Sequence, residues 1–486
     1  MSRSSEISTG EAPVLRNFIG GKFVAPRAGS YLADIDPSTE EAIAEIPDSD
    51  SQDVDDAVAA ARAAFPAWSR TPAEQRSRLL LKLADLIEQN LEELAALESR
   101  DNGKTISLAR RLDIPRAVAN FRFFGTAILH QSSEAHHTDG AALNYTLRQP
   151  LGVAGLISPW NLPLYLLSWK IAPAIASGNT CVAKPSELTP LTANRLAELS
   201  LEASIPAGVI NIVHGYGAKA GRALTGHPDV PMISFTGGTV TGAAVAANAA
   251  PRFKKLSLEL GGKNPNLIFA DADLADAVAT SIRSSFWNQG EICLCGSRIF
   301  VERSAYDEFL ERFIVATKSL KIGDPSDAST DIGALISADH LKKVMGYIAL
   351  AQEEGGKVVA GGRRLDRKGY FVEPTIITGL GTNCRVVQEE IFGPVVTVTP
   401  FDSEEEAIAA ANSTRYGLSS TVWTRDLQRA HRVAAAIDSG TVWINCWLLR
   451  DLRVPFGGMR ESGVGREGGF ESLNFFTEAK NVCVKL

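Results

Sequence analysis

Cysteine and histidine are scarce in this 486-residue chain, and their placement argues against several chemistries. The six cysteines (Cys181, Cys293, Cys295, Cys384, Cys446 and Cys483) are too widely spread for a disulfide framework and fit free thiols in a reducing compartment. Cys293 and Cys295 lie two apart with no second Cys or His pair at zinc spacing, so no metal is expected. The seven histidines sit in no recognisable partner motif, which weakens a Cys-His hydrolase reading without removing it. No Lys/Arg cluster stands out and the formal net charge is −7, which argues against a nucleic-acid partner. Long apolar runs are also missing. The most apolar window, residues 162–176, is interrupted by Lys170, Pro163 and Pro173 and falls short of a membrane span. Residues 1–13 lack the apolar stretch of a signal peptide, so a cytoplasmic location is expected. Neither internal repeats nor low-complexity tracts are evident.

What is present describes a folded chain, 45% hydrophobic and 22% charged, too long for one ordinary core. Residues 1–16 read as a frayed tail, and residues 17–47 as short strands around the turn Asp36-Pro37-Ser38-Thr39. Val54, Val58, Ala61 and Phe65 mark one helix; Leu80, Leu83, Ile87, Leu91 and Leu94 mark a second, ended at Asn102-Gly103. From residue 150 to 269, strand candidates at 153–158, 180–184, 209–213, 232–236 and 267–269 alternate with helical stretches. Residues 281–438 repeat this alternation at 297–301, 395–401 and 419–423. The fold class is therefore α/β, with largely parallel sheets. Alternating segments at 143–150, after Asp139-Gly140, and at 482–486 are candidate sheet edges for pairing with another subunit.

Three segments could carry chemistry. Cys293 ends Asn288-Gln289-Gly290-Glu291-Ile292-Cys293; it is either an inert buried thiol or a nucleophile presented after a turn. Glu259 stands in an apolar strand, Leu256-Ser257-Leu258-Glu259-Leu260. It either pairs with Lys254 or Lys263, or is a general base whose proton affinity burial raises. Asn161 follows Ser158-Pro159-Trp160 at a strand end, as a turn residue or as an amide donor to an oxyanion. Cofactor signals are more diffuse. Gly215-Tyr216-Gly217-Ala218-Lys219-Ala220-Gly221 is a poor dinucleotide fingerprint, with one residue too many before its last glycine. Thr236-Gly237-Gly238 follows a strand and can open a helix suited to a pyrophosphate. Lys184-Pro185-Ser186-Glu187 sets a cation beside a carboxylate able to bind ribose hydroxyls.

In order along nearly the whole chain, these segments resemble the aldehyde dehydrogenase superfamily. Glu389-Glu390-Ile391-Phe392-Gly393-Pro394 and Pro455-Phe456-Gly457-Gly458 complete the set. The resemblance implies a Rossmann-like NAD-binding domain (residues 1–128 and 150–261), an α/β catalytic domain (262–467) and a small β oligomerisation domain (129–149 and 468–486). It also implies NAD-dependent oxidation of an aldehyde to an acid through a Cys293 thioester, with Glu259 as base and Asn161 in the oxyanion hole. Lys184 and Glu187 would hold the adenine-side ribose, and Glu390 the nicotinamide ribose. Phe392, Pro159, Trp160, Thr236 and Gly237 would complete the cofactor site. A carboxylate at Glu187 favours NAD over NADP, because it repels a 2′-phosphate. Two departures from the common pattern stand out: Gly238 in place of Ser, and Glu291 in place of Gln.

The segments around Arg116 and Arg450 resemble the branch of that family acting on 2-aminomuconate and 2-hydroxymuconate semialdehydes, where matching arginines grip the substrate carboxylate. The alternative for these arginines is surface ion pairs with Asp113 and Asp451. The expected partners are thus an anionic semialdehyde and further copies of the chain, as a dimer or tetramer. A broad-specificity or small dicarboxylate semialdehyde dehydrogenase, and from another class a Cys-dependent esterase, remain alternatives.

Overall fold

The computed structural model describes residues 12–486, so most of the expected N-terminal tail lies outside the described residues. That tail is shorter than its polarity suggests. Val14 bridges Glu45, and Leu15 N–H donates to Glu45 O at 2.8 Å, because this backbone runs beside the strand Glu41–Pro47. The first helix, Ser51–Trp68, buries Val54, Val58 and Ala61 as their spacing predicts. The expected second helix is instead two, Ala73–Gln89 and Leu91–Asn102. They break at Asn90 (φ −103°, ψ 22°), whose side-chain amide donates to Leu86 O at 2.8 Å in competition with the backbone. Gly103, at φ +84°, ends the pair in the left-handed conformation that a non-glycine residue adopts only with strain.

Two sheets carry the rest. The larger, eight-stranded one is built around Val153–Ile157, flanked by Thr180–Lys184 on one side and Met232–Thr236 on the other. All three are parallel and fully buried, which is why they read as continuous apolar runs rather than alternating ones. From Val153–Ile157 the chain builds outward through Thr180–Lys184 to Ile210–Ile212, then crosses back to Met232–Thr236 and Lys255–Glu259. Strand order thus reverses between Val153–Ile157 and Met232–Thr236, and at such a switch point open α/β sheets bind ligands.

Only Leu260 to Asn264 separate this sheet from the second, seven-stranded one, which opens at Pro265–Ile268. The strand expected at 267–269 therefore starts the second sheet instead of closing the first. Its partners include Arg298–Glu302, Val395–Phe401 and Ser419–Trp423, all parallel to one another, with Lys357–Ala360 antiparallel at one edge. Gly463–Val464 returns to the first sheet and pairs with Leu258 and Glu259.

A third, three-stranded sheet joins Ala135–Thr138, Ala142–Pro150 and Thr477–Lys485, antiparallel and mostly exposed. Its hairpin turns at Asp139 and Gly140, both at positive φ, as a tight Asp-Gly turn requires. Among the described residues no helix is long and apolar enough to cross a membrane.

Candidate active site

Cys293 sits at the end of a loop wound the wrong way for ordinary residues. Asn288, Gln289 and Gly290 all have positive φ (52°, 56° and 73°), a strain that persists only where the surroundings hold it. Here they do. The Asn288 amide donates to the carbonyls of Asn161 (3.0 Å) and Glu291 (3.2 Å), and the Asn161 amide donates to Glu291 O at 2.8 Å. A Cβ on Gly290 would collide with Gly393 O, so glycine lets this loop lie against the Ile391-Phe392-Gly393 turn. The oxyanion candidate and the nucleophile loop are thereby fastened together across 132 residues of sequence.

The thiol of Cys293 is reached from two sides. One cavity also touches Glu259, Arg116, Arg450, Tyr165 and Trp169. The other touches Trp160, Asn161, Gly237, Glu390 and Phe392. Thr236 borders both. His340 borders the second cavity too, but its Nε2 is bonded to Phe392 O at 2.6 Å, and burial lowers its pKa to about 4. It is already engaged and a poor base for the thiol.

Glu259 ends the strand Lys255–Glu259, and neither carboxylate oxygen has a hydrogen-bond partner among the described residues. The ion-pair alternative fails: Lys254 donates to His227 O at 2.6 Å, and Lys263 finds no partner for its ammonium. Burial first, then the neighbouring Glu467 carboxylate, raise the Glu259 pKa well above the ordinary carboxylate range. Gly457 makes room for it, since a Cβ there would stand 2.8 Å from Glu259 Oε1. The Cys293 thiol is likewise held protonated, by burial and then by the Glu390 and Glu259 carboxylates, with Arg450 opposing. A buried thiol beside an unpaired, proton-seeking carboxylate can do nucleophilic chemistry without a histidine.

The arginines are placed as a substrate clamp would need. Asp113 bonds Lys104 rather than Arg116, and Asp451 pairs with Arg453 (2.6 Å) rather than Arg450. Arg116 instead lies over Tyr165 (5.7 Å to the ring centroid), and Arg450 over Phe456 (3.9 Å). Both guanidinium groups therefore keep their hydrogen-bond donors for a ligand.

A dinucleotide fits the remaining residues. A cleft runs past Glu187, Gly217, Phe235, Val240 and Val245, with mostly apolar walls, one carboxylate and the Arg222 cation. Lys184 Nζ is 2.9 Å from Glu187 Oε2. The hydroxyls of Ser158 and Thr236 are buried without partners among the described residues, as donors awaiting a polar ligand would be. Gly238 caps the helix Thr239–Ala249 with open space around its Cα, so backbone N–H groups are available where a serine hydroxyl is lacking. Glu390 accepts from Gly262 N–H at 3.0 Å, and Gly261 has no room for a Cβ beside it. Phe392, at φ +61°, packs edge-on to Trp160 at 5.3 Å.

Sequence reasoning missed several buried groups around this site. Lys104 is fully buried, bonded to Asp113, near Glu98 (3.6 Å), and donates to Asn161 O at 3.0 Å. Lys170 meets Glu467 at 3.0 Å, and Ser234 joins them at 3.0 Å. Glu291, which stood out in the sequence only as a departure from the family pattern, is buried with its pKa raised well above normal by burial, its Oε1 accepting from Ile336 N–H at 3.2 Å. Lys170 had a signal: a lone lysine in an otherwise apolar helix, Pro163–Ala176, needs a buried partner. Nothing local points to Glu467, which lies 297 residues away.

The profile described as "Aldehyde dehydrogenase family" matches residues 23–482, and the chain belongs to that family. It is an enzyme that oxidises aldehydes. Among its relatives, a 2-aminomuconic semialdehyde dehydrogenase of Danio rerio is 58% identical over 97% of this chain and 98% of its own. A 2-hydroxymuconic semialdehyde dehydrogenase of Pseudomonas sp. (strain CF600) is 47% identical over 97% and 99%. The NAD+ complex of an aldehyde dehydrogenase from Bacillus cereus superposes with a TM-score of 0.96 at 42% identity, covering 97% and 96%.

Proposed function

We propose that this enzyme uses NAD to oxidise an anionic, unsaturated semialdehyde of the 2-aminomuconate or 2-hydroxymuconate type to the dicarboxylate, in aromatic or tryptophan catabolism. The observation that carries this reading is that Arg116 and Arg450, without acidic partners among the described residues, border the same cavity as Cys293 and Glu259. The names of the relatives point the same way.

Cys293 attacks the aldehyde carbon as the thiolate, its proton having left to solvent. The resulting thiohemiacetal oxyanion is held by the Asn161 amide and the Cys293 N–H. NAD, when bound, supplies the acceptor for the hydride that leaves this carbon. Glu259 then deprotonates a water molecule, which attacks the thioester, releases the acid and frees the thiol. Lys184 and Glu187 hold the adenine-side ribose and Glu390 the nicotinamide ribose. Pro159, Trp160, Thr236, Gly237 and Phe392 line the channel between them.

Of the described residues, 12–128 and 150–261 form the cofactor domain, 262–467 the catalytic domain, and 129–149 with 468–486 the assembly element. The exposed sheet of Ala142–Pro150 and Thr477–Lys485 supports assembly of copies into a dimer or tetramer. The six unpaired cysteines fit a cytoplasmic enzyme.

The test measures NADH formation from 2-hydroxymuconate semialdehyde and from hexanal in the wild type, Arg116→Ala and Arg450→Ala. The expected loss is about tenfold or more on the anionic substrate alone, the scale of a lost charged hydrogen bond. Equal losses on both substrates, or none, would sink the reading.

A further inference from the structure

Arg111 repeats the features of Arg116 one step further out. The segment Ala109–Asp113 is a π-helix leading directly into the helix Ile114–Ala127. Such a turn inserts one extra residue, so positions five apart across it share a face as positions four apart do in an α-helix. Arg111 and Arg116 are such a pair, and Leu112 between them borders the cavity that holds Cys293. Both guanidinium groups rest on aromatic rings, Arg111 over Trp287 at 4.9 Å and Arg116 over Tyr165 at 5.7 Å.

A second cation shares the first platform: Arg283 lies 6.0 Å from the centroid of the same Trp287 ring. Trp287 in turn packs edge-on to Trp447 at 6.0 Å, beside the cavity-lining Leu448. Neither Arg111 nor Arg283 is within 4.0 Å of a carboxylate among the described residues, in a chain with 56 acidic against 49 basic side chains. Arg110, next door, shows the ordinary fate of an exposed arginine and pairs with Glu92 at 2.6 Å. Two like charges gathered on one ring with no counter-ion form an arrangement that an incoming anion stabilises.

We propose that Arg111, with Arg283 beside it, forms an outer carboxylate subsite on the solvent side of the substrate cavity. It extends the enzyme's range to semialdehydes carrying a second carboxylate and rests on the anionic-substrate reading above. Arg116 and Arg450 take the inner carboxylate; Arg111 takes the outer one. The aromatic platform keeps the Arg111 fork in place, so little side-chain freedom is lost when the anion arrives.

The experiment compares kcat and KM of the holoenzyme on 2-hydroxymuconate semialdehyde, its 5-carboxymethyl derivative and hexanal, for the wild type, R111Q, R111K and R111Q/R283Q. In R111Q the expected result is a roughly tenfold rise in KM for the carboxymethyl derivative at unchanged kcat. The single-carboxylate substrate should change by less than about twofold, and hexanal not at all. R111K should recover part of the loss, and the double variant should lose more than R111Q. Raising ionic strength should erode the wild-type preference for the dicarboxylate and leave R111Q unaffected. Equal losses on all three aldehydes, or no loss on the derivative, overturn the subsite. If in that case Arg116→Ala loses activity on the anionic aldehydes alone, only the outer subsite falls. If its losses are equal on all three aldehydes, or absent, the anionic-substrate reading falls with it.

Discussion

At the scale of single residues, the site is built from groups whose ordinary protonation is pushed out of range. Glu259 has no hydrogen-bond partner among the described residues, and burial with Glu467 nearby raises its pKa. A base raised in this way is lost to protonation as pH falls through its folded value, so thioester hydrolysis should show an acid limb well above the pH of an ordinary carboxylate. Glu259→Gln should remove that limb and trap the acyl-enzyme, visible as a mass increase on Cys293; hydrolysis that proceeds unchanged would exclude Glu259 as the base. Asn161→Ala should lower kcat by about 10²–10³-fold, the usual worth of an oxyanion donor. Because Asn161 also fastens the cysteine loop through Glu291 O, some of that loss should appear as a lower rate of Cys293 alkylation in the free enzyme.

Among the elements, glycines decide which side chains can meet. Gly457, at φ +156°, lets a backbone segment pass beside the Glu259 carboxylate. Gly457→Ala should therefore displace that carboxylate and slow thioester hydrolysis more than it raises the KM for NAD. Gly261→Ala presses on Glu390 instead and should do the reverse, raising the KM for NAD first. Steady-state kinetics on the two variants separates these outcomes; identical profiles would show that both glycines serve only the fold. The helix Pro163–Ala176 makes a related point. Lys170 is fully buried within it because Glu467 and Ser234, on remote segments, satisfy its ammonium.

At the scale of the whole molecule, acid should weaken the fold through its buried histidines. Burial lowers His214 to about 3 and His340 to about 4, so both stay neutral in the folded chain. Below the unfolded value near 6.5 the unfolded chain gains a proton that the folded one cannot accept, and stability falls as pH drops toward those folded values. One unit below that point the cost is about 1.4 kcal/mol per histidine. His214→Gln should flatten this dependence in urea titrations at pH 7 and 5.5, and an unchanged slope would contradict it. The assembly proposed above involves a different part of the molecule. Deleting residues 477–486 removes a strand with nine paired positions from the exposed sheet and should yield smaller particles by analytical ultracentrifugation.

The sequence by itself determined the α/β class, most of the strand positions and the ordered motifs around Cys293, Glu259 and Asn161. These are local properties: buried parallel strands read as apolar runs, and turns and caps need particular residues. It misjudged the helix break at Asn90, where one side-chain amide outweighs the apolar periodicity. The choice between an inert thiol and a nucleophile for Cys293 was not local. Nor was the choice between an ion pair and a free base for Glu259, or between surface salt bridges and a clamp for the arginines. What only the tertiary structure decided is where the neighbouring charges go. It sent Lys254 to His227, Asp113 to Lys104 and Asp451 to Arg453, leaving Glu259, Arg116 and Arg450 around one cavity without an ion-pair partner among the described residues. Whether a charge is spent within the protein or kept for a ligand depends on what folding places beside it, and those partners lie on separate stretches of the chain.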